Sequence, residues 1–305
     1  MISSSYLSFR IPAILCVLMA ITMAGHVTAN DGDSTKHVFR YKFRPGDTLQ
    51  WEVTAKVGQL TTHGQYRENI DSLSVSTKNW NVLEVDADGT ALLEYSIRDI
   101  EMKSLSSQDH VERKYNSKTD KEPPVEFLDM AELIGVPIAH LTINAQGEVV
   151  KRSQKAKIAA TMQFSETAEE NRITIPFPEH AIGVGDAWDY SREIIIPQAN
   201  GTVKKVSVRE RYTLEKIQND IATFDFKTHV ITPIHDDKET DWALRTKIRE
   251  GKIQFEMIDG RSISQEYNMK KTVLNLDSLA RGSATYQSRF VEKYFREQPA
   301  LASRE

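Results

Sequence analysis

The chain of 305 residues contains one cysteine, Cys16, inside an apolar stretch at residues 11–24. Everything beyond that stretch has no disulfide, no thiol nucleophile and no cysteine-ligated metal, so its fold is held by its own core. Glycine (14) and proline (10) are too sparse for a collagen-like or low-complexity chain. No later apolar run approaches the roughly 20 residues of a membrane-spanning helix. Neither charge sign dominates. The 39 Lys and Arg are mixed with 43 Asp and Glu, without the basic stripe of a nucleic-acid binder. The G-x-S-x-G, G-x-G-x-x-G, P-loop and H-E-x-x-H patterns are missing as well, so nothing marks a serine hydrolase, a nucleotide site or a zinc protease.

What is present begins with residues 1–29. A short polar start carrying Arg10 leads into the apolar stretch, and Val27-Thr28-Ala29 follows with small residues at the positions a signal peptidase reads. This order predicts a cleavable signal peptide, with cleavage near Ala29 and a secreted or periplasmic product. The alternative is a leader retained as an anchor. Ala13-Ile14-Leu15 before Cys16 does not fit a lipoprotein site. After cleavage no integral membrane span remains, and some 270 residues suffice for one large or two modest domains.

The remainder reads as mainly β. Residues 38–43 and 48–57 alternate apolar and polar side chains, the period of a strand with one buried face. Further strands are expected at 72–76, 80–85, 90–102 and 138–150, then 244–258, 261–276 and 282–295, joined by turns such as Asp86-Ala87-Asp88-Gly89 and Asp259-Gly260. Residues 104–122 are polar and predict a mobile loop or an exposed hairpin tip. Two short helices are expected, at 124–135 from its leading proline and closing glycine, and at 153–171 from its Ala, Lys, Gln and Glu content.

The second half restarts the first. Gly185-Asp186-Ala187-Trp188 matches Gly46-Asp47-Thr48-Leu49-Gln50-Trp51, each placing Gly-Asp before a strand with Trp. The run from Tyr212 likewise matches the run from Trp80. The expected fold class is therefore β-rich α+β, with two tandem antiparallel curved sheets or half-barrels and a few short helices. The halves are 30–171 and 182–305, with a connector at 172–181.

Candidate sites are few. His235, Asp236, Asp237, Glu239 and Asp241 gather oxygen ligands that suit calcium, the one cofactor considered, although a solvated loop between strands is the favoured reading. Trp242 borders that loop and is a candidate ligand platform, whereas Trp51, Trp80 and Trp188 sit at core positions of strands. Glu166, Glu169, Glu170 and Glu179 read as surface charge, and Lys151, Arg152, Lys155 and Lys157 as the solvated face of a helix. No catalytic residue is assigned.

The opening Tyr41-Lys42-Phe43-Arg44-Pro45-Gly46-Asp47, the Trp80–Gly89 segment and Val184-Gly185-Asp186-Ala187-Trp188 resemble a group of exported bacterial proteins built as a tandem β-meander. That resemblance implies no catalytic residues. In architecture alone the chain is similar to LolA-type periplasmic lipoprotein carriers, which wrap a curved sheet around an apolar cavity under helices. The expected function is an exported, non-enzymatic binding or carrier protein of the cell envelope, with an apolar or lipid ligand. The alternatives are a structural or protein-interaction component using exposed strand edges, with an envelope protein as partner, and a hydrolase whose site the sequence does not reveal.

Overall fold

The structure, a computed structural model, describes residues 35–156, 174–198, 200–235, 237–274 and 282–295. The expected signal peptide at 1–29, most of the helix expected at 153–171, Asp236, Glu166, Glu169 and Glu170 lie outside the described residues. In the rest, one curved, open antiparallel sheet of twelve strands dominates. The first half supplies β1 (Thr48–His63), β2 (Tyr66–Val85), β3 (Ala91–Ser106), β4 (Glu112–Asn116), β5 (Pro137–Ile143) and β6 (Val149–Gln154). The second supplies β7 (Ala187–Pro197), β8 (Val203–Gln218), β9 (Ile221–Val230), β10 (Glu250–Glu256), β11 (Arg261–Leu274) and β12 (Gly282–Phe295). Their order is β6-β5-β3-β2-β1-β12-β11-β10-β9-β8-β7, with β4 on the far part of β3. The two meanders thus merge into one sheet. The joint is the β1–β12 ladder, in register from Gln50 opposite Phe295 to His63 opposite Gly282.

Alternation assigns one face of this sheet to the core. Leu49, Trp51, Trp80, Val82, Leu93, Ile138 and Leu141 form a cluster in the first half. In the second half, Tyr212, Phe224, Phe226, Phe255, Tyr267 and Phe290 form an aromatic cluster. Val53 and Phe43 touch both clusters, so the two cores meet across β1. Two extended segments complete the second cluster. Residues 36–43 contribute Phe39 and Tyr41, and residues 174–182 contribute Ile175, Phe177 and Ile182. Phe177 is the hub, with the rings of Phe39, Tyr41, Trp188, Phe224 and Phe255 at centroid distances of 4.9–6.1 Å. Tyr41 fixes the crossing of the straps, because its hydroxyl accepts from the Ile175 amide at 2.7 Å.

The two Gly-Asp turns are built alike. The Gly46 amide donates to the Val82 carbonyl and the Val82 amide to Asp47; the Gly185 amide donates to Leu214 and the Leu214 amide to Asp186. Both glycines have positive φ, +83° and +91°, a conformation that costs an L side chain about 1 kcal/mol or more. The strand bulge that follows also repeats, between Val82 and Glu84 in β2 and between Leu214 and Lys216 in β8. Ala91 and Ala222, and Leu93 and Phe224, then occupy matching buried sites on the next strands.

Several local expectations change. Residues 38–43 alternate like a strand, but they lie across the core face as a strap, paired only by the isolated bridge of His37 with Ile182 and single bonds such as Lys42 to the Gly260 carbonyl. The runs at 72–76 and 80–85 are one continuous strand, β2. The polar stretch 104–122 is the β3–β4 hairpin. The expected helix at 124–135 is a 3-10 turn, Val125–Phe127, plus α1, Leu128–Ala131. Ser153 and Gln154 belong to edge strand β6, so Lys151 and Arg152 face solvent from a strand. The strand expected at 244–258 starts only at Glu250. Before it come α2 (Lys238–Ala243) and a 3-10 turn, Leu244–Thr246, whose Leu244 plugs a third small cluster with Ile194, Ile196 and Val208.

Candidate functional site

The long strands β1, β2, β3 and β12 run on past the cores, and their far ends bend into a groove of about 830 Å³ on the face turned away from the core. Register explains its lining. One row across four strands reads Arg289, Lys56, Leu73, Lys103; the next reads Gln287, Gly58, Asp71, Leu105; the next holds Thr285, Leu60 and Asn69. Leu60, Leu73 and Leu105 give an apolar floor, and Lys56, Lys103 and Arg289 a cationic rim. Gly58 keeps the floor low: a Cβ there would stand 3.3 Å from Asp71 Oδ1. Lys103 is held by Glu101 at 2.9 Å and Arg289 by Glu266 at 2.8 Å. Lys56 makes no hydrogen bond or ion pair among the described residues. The volume falls within the roughly 300–1,000 Å³ of small-molecule sites.

The core face carries two buried charges at matching positions. Lys78, two residues before Trp80, forms an ion pair with Glu292 of β12, and both are buried. Its ammonium lies 4.8 Å from the Trp51 ring and 5.2 Å from the Trp80 ring. Burial pulls Lys78 below the usual lysine range, and the Glu292 carboxylate opposes that shift. Burial likewise raises the Tyr95 phenol, with a further push from Glu292. In the second half Glu210, two residues before Tyr212, is fully buried. It accepts from Arg192 at 3.1 Å and from the Tyr212 hydroxyl at 2.9 Å, and lies 3.5 Å from Arg249. These pairs lie against aromatic rings and none of their residues lines the groove, which fits a structural role.

The loop singled out from sequence is organised around α2. Asp237 caps the helix, accepting from the Thr240 amide at 2.9 Å, and pairs with Lys204 at 2.6 Å. Lys204 first, then the Thr240 hydroxyl and amide, hold its carboxyl well down, at about 2. Asp241 turns instead to Lys271, at 2.5 Å. Glu239 and His235 are exposed. The acidic residues thus point to separate cations, and among the described residues no three His, Cys, Asp or Glu side chains converge as metal ligands. Trp242 is half-buried in α2 and stacks under Arg245, whose guanidinium carbon is 4.7 Å from its ring and 5.6 Å from that of Tyr286. Of the other tryptophans, Trp51 and Trp80 are buried in the core, and Trp188 stacks on Tyr212 at 5.4 Å. Glu179 lies at the surface, on the segment leading to β7.

Sequence reasoning missed the groove. The groove needs residues about 230 positions apart, such as Lys56 and Arg289, to become neighbours through the β1–β12 ladder. No helix among the described residues is long and apolar enough to cross a membrane.

No protein-family model and no curated protein matches the chain. Three solved structures that match the chain do so at low TM-scores. DynF from the dynemicin biosynthesis pathway of Micromonospora chersina shares 8% identity over 87% of this chain and 91% of that one, with a TM-score of 0.23. The translocator domain of the autotransporter NalP from Neisseria meningitidis shares 7% over 83% and 90%, at 0.28. The secretin InvG of the Salmonella SPI-1 type III secretion injectisome shares 10% over 84% and 62%, at 0.15. Scores this low carry no functional inference, and no link to lipoprotein carriers emerges from them.

Proposed function

We propose that the chain is an exported, non-enzymatic binding protein of the cell envelope, and that an amphiphilic ligand lies in the groove on the back of β12-β1-β2-β3. The observation that carries this reading is the leucine floor under a cationic rim: Leu60, Leu73 and Leu105 offer apolar contact, and Lys56 offers a charge that no carboxylate of the described residues engages. Burying an acyl chain against such a floor contributes about 0.8 kcal/mol per methylene. Export rests on the leader-like order of residues 1–29. The core face of the second half is filled by the straps and their aromatic residues, so the ligand is placed outside it.

The test is native mass spectrometry of the chain purified from its own envelope fraction, before and after solvent extraction. The expected result is a stoichiometric adduct that leaves with solvent and is absent from Leu73→Arg. A bare chain at the expected mass would sink the proposal.

A second reading is favoured by the outer edge of β7, which no strand of the described residues pairs. Its ladder with β8 runs eleven residues without a bulge, and its one proline, Pro197, stands at the very end. Long regular edges accept partner strands. Crosslinking from Ser191→Cys in the envelope fraction would trap such a partner; uniform absence of crosslinks would exclude it.

A further inference from the structure

We infer that the ligand of the back-face groove is a single-chain anion, with a carboxylate or phosphate headgroup between Lys56 and Arg289 and a tail that runs along β1, over Gly58, to Leu60. The inference rests on the groove being the binding site, and adds to it the charge of the headgroup and the direction of the tail. The β1–β12 register sets Lys56 directly opposite Arg289. Like charges on directly opposed residues repel and weaken a strand pair. Leu73 and Lys103 continue the same row, so three cations and a leucine form one line across the sheet. Glu101 takes Lys103 and Glu266 takes Arg289. Three cations against two carboxylates leave one positive charge, and it rests on Lys56. That side chain is exposed and lines the groove, so an anion reaches it from solvent. Arg289 and Glu266 are exposed as well, a setting in which ion pairs are weak, so the guanidinium is able to turn to the same anion.

The next row fixes the polarity. Asp71 is diagonal to Lys56 across the β1–β2 ladder, a relation that spans about 7–8 Å. It accepts instead from Asn69 Nδ2, at 2.6 Å. Its carboxylate repels a second anion, so the headgroup stays on the row of cations. Gly58 stands between Asp71 and Gln287 and leaves a gap one side chain wide, which admits one alkyl chain rather than two. Leu60 lies beyond that gap on the same strand and meets the tail. From Lys56 to Leu60 the strand rises about 14 Å, the reach of a medium-length alkyl chain.

The full chain is titrated calorimetrically with decyl phosphate, decanoate and decyl maltoside, each below its micelle concentration and at constant ionic strength. One site per chain is expected for all three, with both anions at least tenfold tighter than the neutral maltoside. Lys56→Gln should weaken the anions at least tenfold and bring them level with maltoside, whereas Lys56→Arg should keep the preference. Ligand-free Lys56→Gln should melt no lower than wild type, because it loses a repulsion and no ion pair, which separates a binding defect from a folding defect. Decyl phosphate tenfold tighter than decanoate assigns a phosphate headgroup; equal affinities assign a single negative charge of either kind. Maltoside bound as tightly as the anions, or a preference for anions that survives in Lys56→Gln, overturns the inference and leaves the groove as an amphiphile site. No saturable binding of any of the three probes overturns the groove reading and this inference together.

Discussion

Lys78 and Glu210 occupy the same position of the two meanders, two residues before the aromatic that packs on the Gly-Asp strand, and they carry opposite charges in equally buried sites. Their counter-ions come from different places. Lys78, opposite Trp51 of β1, is met diagonally by Glu292, which β12 sets opposite Val53, the next core-facing residue of β1. Among the described residues no strand lies beyond β7, and there the position matching Val53 is Arg192, which meets Glu210 itself. The first half thus depends on a strand of the second for its buried charge, whereas the second closes its own.

Removing either member of the first pair leaves an uncompensated buried ion. Lys78→Met or Glu292→Gln is expected to lower stability by about 3–5 kcal/mol in urea unfolding. The double replacement Lys78→Met with Glu292→Leu should recover most of that loss. A double variant as unstable as the sum of the singles would show that the two groups do not act as a pair.

Acid should loosen α2 through Asp237. Its carboxyl is held at about 2, below the ordinary 3.8. The unfolded chain therefore takes up the proton first as pH falls. The stabilisation is complete above about pH 4 and disappears toward pH 2. Wild type and Asp237→Asn, compared by urea midpoint, should differ fully at pH 5, less at pH 3, and converge only toward about pH 2. A gap of constant size across that range would contradict this assignment.

The straps tolerate no extra volume where they cross the β5–β6 turn. Gly147 has φ +90°, and a Cβ there would overlap the Tyr41 ring and the Ile175 carbonyl. Gly147→Ala is expected to cost about 3 kcal/mol, at the upper end of overpacking effects. Phe177→Ala, which empties the centre of the aromatic cluster, should cost about 3–5 kcal/mol. Both are read from thermal or urea denaturation, and near-neutral values would mean that the straps are not part of the cooperative core.

Gly58→Val fills the groove floor rather than the core. In a strand this change favours the extended backbone by a few tenths of a kcal/mol, and the one close contact, Asp71 Oδ1, sits on a side chain that can turn. Stability should hold while the mass adduct of the envelope-purified chain disappears. An adduct that persists would place the ligand elsewhere.

Much of this architecture is written locally. The alternation in 48–57, 90–102 and 282–295 assigns each residue to a face, and the Gly-Asp turns announce the matching hydrogen bonds of Gly46 and Gly185. Periodicity names a face but not a neighbour. It could not tell that β1 pairs with β12, so the groove was invisible. It also could not separate a strand from a strap at Phe39 and Tyr41, because both need every second side chain buried. The segment 244–249 misled for another reason: Leu244 is apolar because it plugs a small cluster from a turn. Asp237 with Thr240 three residues on was a readable helix start, masked by the reading of its neighbours as cation ligands.

β1 has one neighbour, β2, that follows it directly in sequence and another, β12, that comes only after ten further strands. Along fourteen residue pairs its second edge stays unsatisfied until β12 arrives. Contacts that distant close slowly. The sheet therefore cannot close until β12 has been made, and the two meanders can join only after each has its own strands in place.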